Sequence, residues 1–431
     1  MLLLRQTVSL LILLPTTISF KLDFQIHQVQ HDKSLAKRDV TAPFRLDKNV
    51  YLTQLELGSN HDRVTVSLDT GSPDLWVMSK SAQCFNVSDF HTLSRPHIPE
   101  LFDDLDSQYS CTANGTFDYQ ASATFQEKKV EPDFRAGFAD GSAATGIWGV
   151  DDVHLGGDVT LRELKFGIAN ASSIDVGILG LGPQPENERG FVALLKEQGV
   201  INRTMYSIYM NSSSGSIVFG SELDESKYAA GQMATASMDQ NVGVDVSEVS
   251  IDGRTVSAGE KVKVLFDTGS TFSTMPHDWI KILGESLNGT YDEDQMAYQV
   301  SCEMEHDAKN FTFKIDSEPE MSLPIRNLIV RAGGGTSCYL GIMDESLIGG
   351  AIFGADILQH FYTVYDLQEE ELSIAPLKLG ASASSDAGSG ASSSTGSGAT
   401  ESSRSHSGAS ATLRVYCISM IPLSIYIFFI Y

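Results

Sequence analysis

The tetrapeptide Asp-Thr-Gly-Ser occurs twice in this 431-residue chain, each time directly after a short apolar run. The first copy lies in VSLDTGSPDLWV, from Val66 to Val77, and the second lies in VLFDTGSTFSTMP, from Val264 to Pro276. At average composition, a given tripeptide is expected about once in several thousand positions. Two copies in similar settings therefore indicate an internal repeat, which favours a fold built from two related halves.

A second pair of similar segments follows the two tetrapeptides. VGILGLG follows the first copy and AIFGADIL follows the second, and each contains two apolar residues and a glycine. From Asp69 to Gly180 the separation is 111 positions, and from Asp267 to Gly354 it is 87. The excess of 24 is close to the length of the segment between the first two cysteines. We therefore expect two copies of one architecture, with a disulfide-tied loop added to the first.

The region between Val50 and Pro376 has the pattern of a β-rich protein. Short β-branched and aromatic runs such as YLTQLEL, VTVSL, SIYM and SIVFG are separated by Gly, Asn, Asp and Ser. The best helical pattern is Phe191 to Gln198, followed by Gly199. The sequence predicts sandwich-like or barrel-like lobes, which we place at residues 39–222 and 223–379.

The N-terminus has the features of a secretory signal, which we assign to residues 1–19. Arg5 precedes the apolar run Val8 to Leu14, which is too short to span a bilayer. Lys37-Arg38 suits a processing protease and predicts a propeptide over residues 20–38. The alternative is an ordinary solvated charge pair.

The C-terminus has the features of a glycosylphosphatidylinositol (GPI) attachment signal. Residues 380–414 are rich in Ser, Gly and Ala, and residues 415–431 are almost wholly apolar. A polar stalk followed by a terminal apolar tail is typical of this signal, with attachment expected near Ser402 or Ser403. A tail-anchored membrane helix is the alternative.

Secretion makes disulfide bonds and glycans available. We expect the bonds Cys84–Cys111 and Cys302–Cys338, since each pair lies on one side of the midpoint, although four cysteines permit three connectivities. Cys417 lies in the apolar tail. The predicted glycosylation sites are Asn86, Asn114, Asn170, Asn202, Asn211, Asn288 and Asn310.

Composition and motifs exclude several classes of function. The formal charge is −25 and no basic stripe occurs, which argues against nucleic-acid binding and favours cationic peptide partners. The histidines are scattered and His-Glu-x-x-His is absent, so we expect no metal or cofactor. GILGLG lacks the glycine order and βαβ context of a dinucleotide site.

The repeated tetrapeptide carries chemistry once two copies meet. A single Asp in such a turn is ordinary. Asp69 and Asp267, one from each half, can lie face to face, and two carboxyl groups a few ångströms apart share a proton. One carboxylate can then take a proton from water while the other group gives one to a carbonyl oxygen.

These motifs, with the closing FYTVYD at residues 361–366, resemble those of the pepsin-like aspartic proteases. The resemblance covers about residues 50 to 376. It implies an all-β bilobal fold with a cleft between two pseudo-twofold-related lobes, the catalytic pair Asp69 and Asp267, and a monomer that cleaves peptides. The residues expected to support the pair and contact substrate are Thr70, Gly71, Ser72, Thr268, Gly269 and Ser270.

The resemblance also implies a β-hairpin flap, for which FRAGFADGSAATGIWG is the candidate. Asp140-Gly141 gives its turn signal, and Ser142 follows. The family's flap tyrosine falls on Phe138, which lacks the hydroxyl that meets the indole matched by Trp76. We therefore expect a looser flap.

The GPI signal, the dibasic site and the long first-lobe loop are similar to those of the fungal yapsins, while candidapepsin-like enzymes share many motifs. The yapsin resemblance implies an enzyme at the plasma membrane or cell wall that prefers basic residues beside the scissile bond. This preference can come from the acidic residues of the Cys84–Cys111 loop, Glu100, Asp103, Asp104 and Asp106. The alternative is that these residues simply face solvent. Two other functions stay open, a catalytically weak or silent pepsin-like binding module and a structural wall glycoprotein.

Overall fold

The computed structural model describes residues 19–29, 48–85, 110–130, 132–138, 142–156, 159–185, 188–210, 214–257, 261–293, 295–316, 319–332 and 337–378. These residues belong to one compact unit. Within them, no helix has the length and apolar composition needed to cross a bilayer. The dibasic site, the stalk and the tail lie outside this part of the chain, as do Asn86, Glu100, Asp103, Asp104, Asp106, Asp140, Gly141, Asn211, Ser402, Ser403 and Cys417.

Short strands dominate the described residues, as the sequence pattern predicted. The strands of the first half are β1 (Phe20–Val29), β2 (Lys48–Leu57), β3 (Asp62–Asp69), β4 (Leu75–Cys84), β5 (Gln126–Lys128), β6 (Arg135–Gly137), β7 (Ala143–His154), β8 (Thr160–Ser172), β9 (Gly177–Gly180), β10 (Met205–Met210) and β11 (Ser214–Phe219). Those of the second half are β12 (Ala234–Ser237), β13 (Gly243–Ile251), β14 (Arg254–Thr255), β15 (Val262–Phe266), β16 (Ser273–Met275), β17 (Thr290–Asp292), β18 (Ala297–Val300), β19 (Asn310–Ile315), β20 (Met321–Pro324), β21 (Ile329–Ala332), β22 (Ser337–Leu340), β23 (Ile342–Asp344), β24 (Ala351–Phe353), β25 (Phe361–Asp366) and β26 (Glu371–Pro376). The helices are α1 (Phe191–Glu197), α2 (His277–Ser286) and α3 (Ala355–Leu358), with 3-10 turns at Ala230–Gln232, Cys302–His306, Ile325–Leu328 and Glu345–Leu347.

The strands form three sheets in an all-β, bilobal arrangement, which confirms the predicted fold class. A 14-stranded sheet has the order β12-β26-β25-β10-β11-β1-β2-β3-β9-β4-β8-β7-β5, with β6 paired to β7. An eight-stranded sheet has the order β20-β19-β13-β15-β24-β16-β23, with β14 paired to β13, and a four-stranded sheet has the order β17-β18-β22-β21. The large sheet therefore includes strands from both halves of the sequence.

The strand pairings that carry the two tetrapeptides repeat one pattern. β3 is parallel to β9, with Asp69 opposite Gly180, and β15 is parallel to β24, with Phe266 opposite Phe353. β9 is antiparallel to β4, and β24 is antiparallel to β16. The internal repeat in the sequence is thus a repeat of connectivity in the fold.

Apolar residues fix the strands that lead to each tetrapeptide. In β3, Val64, Val66 and Leu68 are buried at every second position, as a strand with one buried face requires. In the second lobe, Val264 and Phe266 have the same alternation in β15. The strand that leads into each aspartate turn is therefore anchored in the core.

The helix and disulfide predictions are confirmed. α1 ends one residue before the predicted Gln198, and Gly199 adopts a φ of +73°, which favours glycine after a helix. The structure contains the bonds Cys84–Cys111 and Cys302–Cys338. The first bond joins the ends of the loop to which we attribute the length difference between the two repeats.

The predicted propeptide includes β1, which lies inside the large sheet between β11 and β2. Phe24 pairs with Gly215 on one side, and Ile26 pairs with Tyr51 on the other. Leu22 and Phe24 are buried in the core. In the full chain this segment is therefore a structural strand, and its removal by processing stays a prediction.

The described glycosylation candidates differ in accessibility. Asn288 and Asn310 are exposed. Asn202 is exposed, but its side-chain amide donates to a serine hydroxyl at 2.8 Å. Asn170 and Asn114 are half-buried, and the amide of Asn114 donates to a backbone carbonyl at 2.9 Å. Glycosylation stays a prediction, with the most accessible acceptors at Asn288 and Asn310.

Candidate active site

The two tetrapeptide aspartates meet between the lobes. Asp69 is the last residue of β3, and Asp267 directly follows β15. Their side chains are only 6% and 9% exposed. The parallel strands β9 and β24 lie beside them, and the main-chain N–H of Asp267 donates to the carbonyl of Phe353 at 3.0 Å.

One backbone N–H joins the two carboxylates. The N–H of Gly71 donates to Oδ1 of Asp69 at 2.8 Å and to Oδ1 of Asp267 at 3.1 Å. The N–H of Gly269 donates to Oδ1 of Asp267 at 2.8 Å. The two Oδ1 atoms therefore point toward each other around a shared donor.

The serines of the tetrapeptides bind the outer carboxylate oxygens. Ser72 Oγ donates to Oδ2 of Asp69 at 2.6 Å, and Ser270 Oγ donates to Oδ2 of Asp267 at 2.7 Å. Each carboxylate thus has a backbone donor on its inner oxygen and a hydroxyl donor on its outer one. This near-symmetry holds both groups in one orientation.

The threonines of the tetrapeptides link the two loops beneath the carboxylates. The N–H of Thr268 donates to Thr70 Oγ1 at 3.0 Å, and the N–H of Thr70 donates to Thr268 Oγ1 at 3.2 Å. Their hydroxyls donate to the carbonyls of Phe266 and Leu68 at 2.9 and 3.2 Å. Since both threonines are buried, these bonds fix the spacing of the lobes at the site.

Burial and mutual repulsion set the protonation of the pair. Burial raises the pKa of Asp69, the negative charge of Asp267 raises it further, and the donors Ser72 and Gly71 oppose the shift. Asp69 therefore keeps its proton at a pH where an exposed carboxyl group has lost it. In general, a protonated carboxyl group beside an ionised one can act as acid and base at the same place.

Two buried tyrosines support the site and were not predicted as such. Tyr365, within the FYTVYD motif, donates to the carbonyl of Phe266 at 3.0 Å, directly before Asp267. The ring of Tyr206 stacks on Tyr365, with centroids 4.9 Å apart. Both side chains are fully buried. Tyr365 belongs to a motif that the sequence analysis named, but only the fold places it under the aspartates.

The flap candidate is a β-hairpin in its described parts. β6 pairs with β7, and the N–H of Phe138 donates to the carbonyl of Ser142 at 2.9 Å. The rings of Phe138 and Trp76 lie 6.3 Å apart, and Trp76 also contacts Phe134, with centroids at 5.9 Å. The predicted trio Trp76, Phe138 and Ser142 is thus in one region, with the turn residues Asp140 and Gly141 outside the described chain.

The acidic side chains of the described residues do not form a metal site. No group of three or more His, Cys, Asp or Glu side chains there is arranged to hold a metal ion.

Comparison with known proteins identifies the family. The family model named eukaryotic aspartyl protease matches residues 50–377. Secreted aspartic protease 10 of Candida albicans is 45% identical over 368 residues, covering 83% of this chain and 78% of that protein. Secreted aspartic protease 9 of the same yeast is 27% identical, covering 86% and 87%, and aspartic proteinase yapsin-3 of Saccharomyces cerevisiae is 29% identical, covering 78% and 67%. The match spans both lobes and both aspartate turns, and the chain therefore belongs to the eukaryotic aspartyl protease family and is an aspartic endopeptidase.

Proposed function

We propose that Asp69 and Asp267 are the catalytic pair of a secreted, cell-surface-anchored endopeptidase. The observation that carries this proposal is the Gly71 N–H, which donates to both carboxylates and aligns their inner oxygens. The ionised carboxylate takes a proton from a bound water molecule, and the protonated carboxyl group donates to the carbonyl oxygen of the scissile peptide. The test is replacement of Asp267 by asparagine, which removes the carboxyl group and keeps its volume.

The proposed pair makes this an acid protease. Burial and the charge of Asp267 raise the pKa of Asp69, so the shared proton persists above the ordinary range of a carboxyl group. Activity falls as the pH rises through that raised pKa, because the pair then loses its general acid. The measurement is kcat/KM against pH for one peptide.

We also propose that a GPI anchor on the C-terminal stalk holds the enzyme at the cell surface. Two features support this, the small-residue stalk and the apolar end of the chain. Treatment of intact cells with a phosphatidylinositol-specific phospholipase tests the anchor. Release of the enzyme would support it, and retention in the membrane after complete cleavage of a GPI-anchored control would contradict it.

The acidic loop residues predict a preference for basic substrates. Replacing all four acidic residues of the loop, Glu100, Asp103, Asp104 and Asp106, by their amides should lower kcat/KM for peptides with Lys or Arg beside the scissile bond about 5- to 10-fold, because long-range attraction is lost. Peptides with apolar residues at those positions serve as the control. Equal effects on both peptide sets, or no effect on either, would contradict a role in specificity.

The flap position Phe138 offers a gain-of-function prediction. Phe138→Tyr adds a hydroxyl near Trp76, whose ring centroid lies 6.3 Å from that of Phe138. One added hydrogen bond to the indole should raise kcat/KM about 3- to 10-fold, since a net hydrogen bond contributes about 1 kcal/mol. Phe125→Tyr is the matched control, because Phe125 packs against Phe117 rather than Trp76. An unchanged or lower kcat/KM in Phe138→Tyr would show that the flap does not need this hydroxyl.

A further inference from the structure

The pseudo-twofold repeat is broken at two buried positions behind Asp267. Leu75 lies six residues after Asp69, and Ser273 lies six after Asp267. Likewise Gly182 lies two residues after Gly180, and Asp356 lies two after Gly354. The first lobe thus has an apolar pair where the second lobe has a hydroxyl and a carboxyl group. Both Ser273 and Asp356 are buried.

Asp356 ties the second catalytic loop to α3. Its Oδ1 accepts from Ser273 Oγ at 2.7 Å, and its Oδ2 accepts from the Ser273 N–H at 3.1 Å. Its Oδ1 also accepts from the N–H of Ile357 at 2.9 Å. Ser273 Oγ in turn accepts from the N–H of Gly354 at 3.0 Å. One side chain therefore joins the strand after the second tetrapeptide to the segment that lies beneath it.

The same segment holds the serine that contacts Asp267. The N–H of Ala355 donates to the carbonyl of Ser270 at 2.8 Å, and the N–H of Asp356 donates to that of Thr271 at 3.2 Å. Ser270 Oγ binds Oδ2 of Asp267 at 2.7 Å. A shift of α3 would thus move Ser270, and with it the outer oxygen of Asp267.

The carboxyl group of Asp356 has no cation to balance it in the described part of the chain. Tyr51, on β2 of the other lobe, is a buried group whose pKa is raised by burial and then by the charge of Asp356. The other titratable or charged side chains on elements packed against α3, or directly after it, are Arg326, His360, Tyr362, Tyr365 and Asp366. The ionised form of Asp356 is therefore destabilised by burial, and hydrogen-bond donors alone stabilise it.

We propose that Asp356 is a positioning residue for Asp267, which holds the second catalytic loop in register while it is neutral and loosens that loop when it ionises. This inference rests on the proposed role of Asp267. Burial raises the pKa of Asp356 to about 7, against hydrogen bonds from the Ser273 hydroxyl and from the N–H groups of Ser273, Ile357 and Asp356 itself, which favour the charged form. The group is thus neutral in acid and becomes a buried anion as the pH rises through about 7, and the folded state loses stability as the pH rises from 3.8, the ordinary pKa of this group, to about 7.

The first test compares Asp356→Asn with the wild-type enzyme across the pH range. Asparagine stays neutral but changes one hydrogen-bond acceptor into a donor, so we expect kcat in acid to fall no more than about threefold. The alkaline limb of kcat should move up by about half to one pH unit, with KM within about twofold of wild type, because Asp356 does not contact substrate. Asp356→Ala, which removes every contact to Ser273, should lower kcat about 10-fold or more at all pH values. Superimposable pH profiles for Asp356→Asn and wild type would overturn the proposal.

The second test does not depend on activity. In an Asp267→Asn background, the melting temperature should fall between about pH 4 and pH 7, the ordinary and the raised pKa of this carboxyl group, and adding Asp356→Asn should make this fall smaller by several degrees. Adding Asp316→Asn, which removes an exposed carboxylate, should leave the fall unchanged. An equal fall with and without Asp356→Asn overturns the proposal. A smaller fall in an enzyme whose Asp267→Asn variant still cleaves peptides would instead refute the assigned pair while retaining the role of Asp356 in the loop.

Discussion

Asp267→Asn is expected to lower kcat/KM for peptide hydrolysis by about 10²- to 10⁴-fold, the contribution of a general acid or base. An amide cannot exchange the proton that the pair shares, although it occupies the same volume. Ser270 and Gly269 donate to Asp267 at 2.7 and 2.8 Å, so the side chain should stay in place. The measurement is kcat/KM on one peptide in acid, for the purified variant and wild type.

The control for this variant is Asp316→Asn. Asp316 is an exposed carboxylate paired with Lys261, and its replacement should change kcat/KM less than about twofold. Binding of a transition-state peptide inhibitor by Asp267→Asn would show that the cleft has kept its shape. If a folded variant hydrolysed peptide at the wild-type rate, Asp267 would not be part of the catalytic pair.

Gly269→Ala is expected to lower kcat about 100-fold or more, because a displacement of about 1 Å at reacting groups costs that much. A methyl group on Gly269 would lie 2.5 Å from Oδ1 of Asp69 and 3.1 Å from Oδ1 of Asp267. The Asp69 carboxylate is held by Ser72 and Gly71 at 2.6 and 2.8 Å and has little freedom to move. The two carboxylates must therefore separate, and the shared proton loses its position.

The chain offers a matched control for the added methyl group. At Gly231 no atom lies within 4 Å of the position that a Cβ would take, so Gly231→Ala should keep kcat within about twofold of wild type. Both variants are measured with the same peptide at the pH of maximal activity. Retention of more than about a third of wild-type kcat by Gly269→Ala would mean that the loop adjusts, and that close packing of the carboxylates is not required.

The repeat made the centre of the site predictable from the sequence. Asp69, Asp267 and their neighbours occur in one short motif, so residue type and order were enough to place a carboxylate, a glycine and a serine in each turn. The same local logic predicted both disulfides and α1. Each of these features depends on a short segment, or on cysteines within one half of the chain.

The residues that support the catalytic pair come from segments distant in the sequence and could not be predicted in this way. Tyr365 meets the carbonyl of Phe266 from 99 positions away, and Asp356 meets Ser273 from 83 positions away. In the sequence, Asp356 is an ordinary acidic residue at the start of a short helix. Its burial against Ser273 follows from the pairing of β24 with β16, which no local pattern shows.

The strand β1 shows a different limit of structure prediction from the sequence. Phe20, Leu22, Phe24 and Ile26 alternate with polar residues, which is the period of a strand with one buried face. The signals around this segment, a secretory leader and a dibasic pair, predict its removal and carry no information about its fold. A segment can form a strand and still be removed by processing. Processing acts on exposed peptide bonds, whereas strand formation depends on the alternation of apolar and polar residues.

Because β1 lies within the large sheet, the predicted cut after Arg38 would make the binding of β1 depend on concentration. While the chain is intact, a link of fewer than 20 residues joins Val29 to Lys48, and β1 meets its partners β2 and β11 at an effective concentration of the order of millimolar. A cut after Arg38 would convert β1 into a separate peptide, held by its hydrogen bonds and by the burial of Leu22 and Phe24. Occupancy of that place in the sheet would then follow mass action, so dilution after secretion would weaken the sheet without any change in pH or temperature.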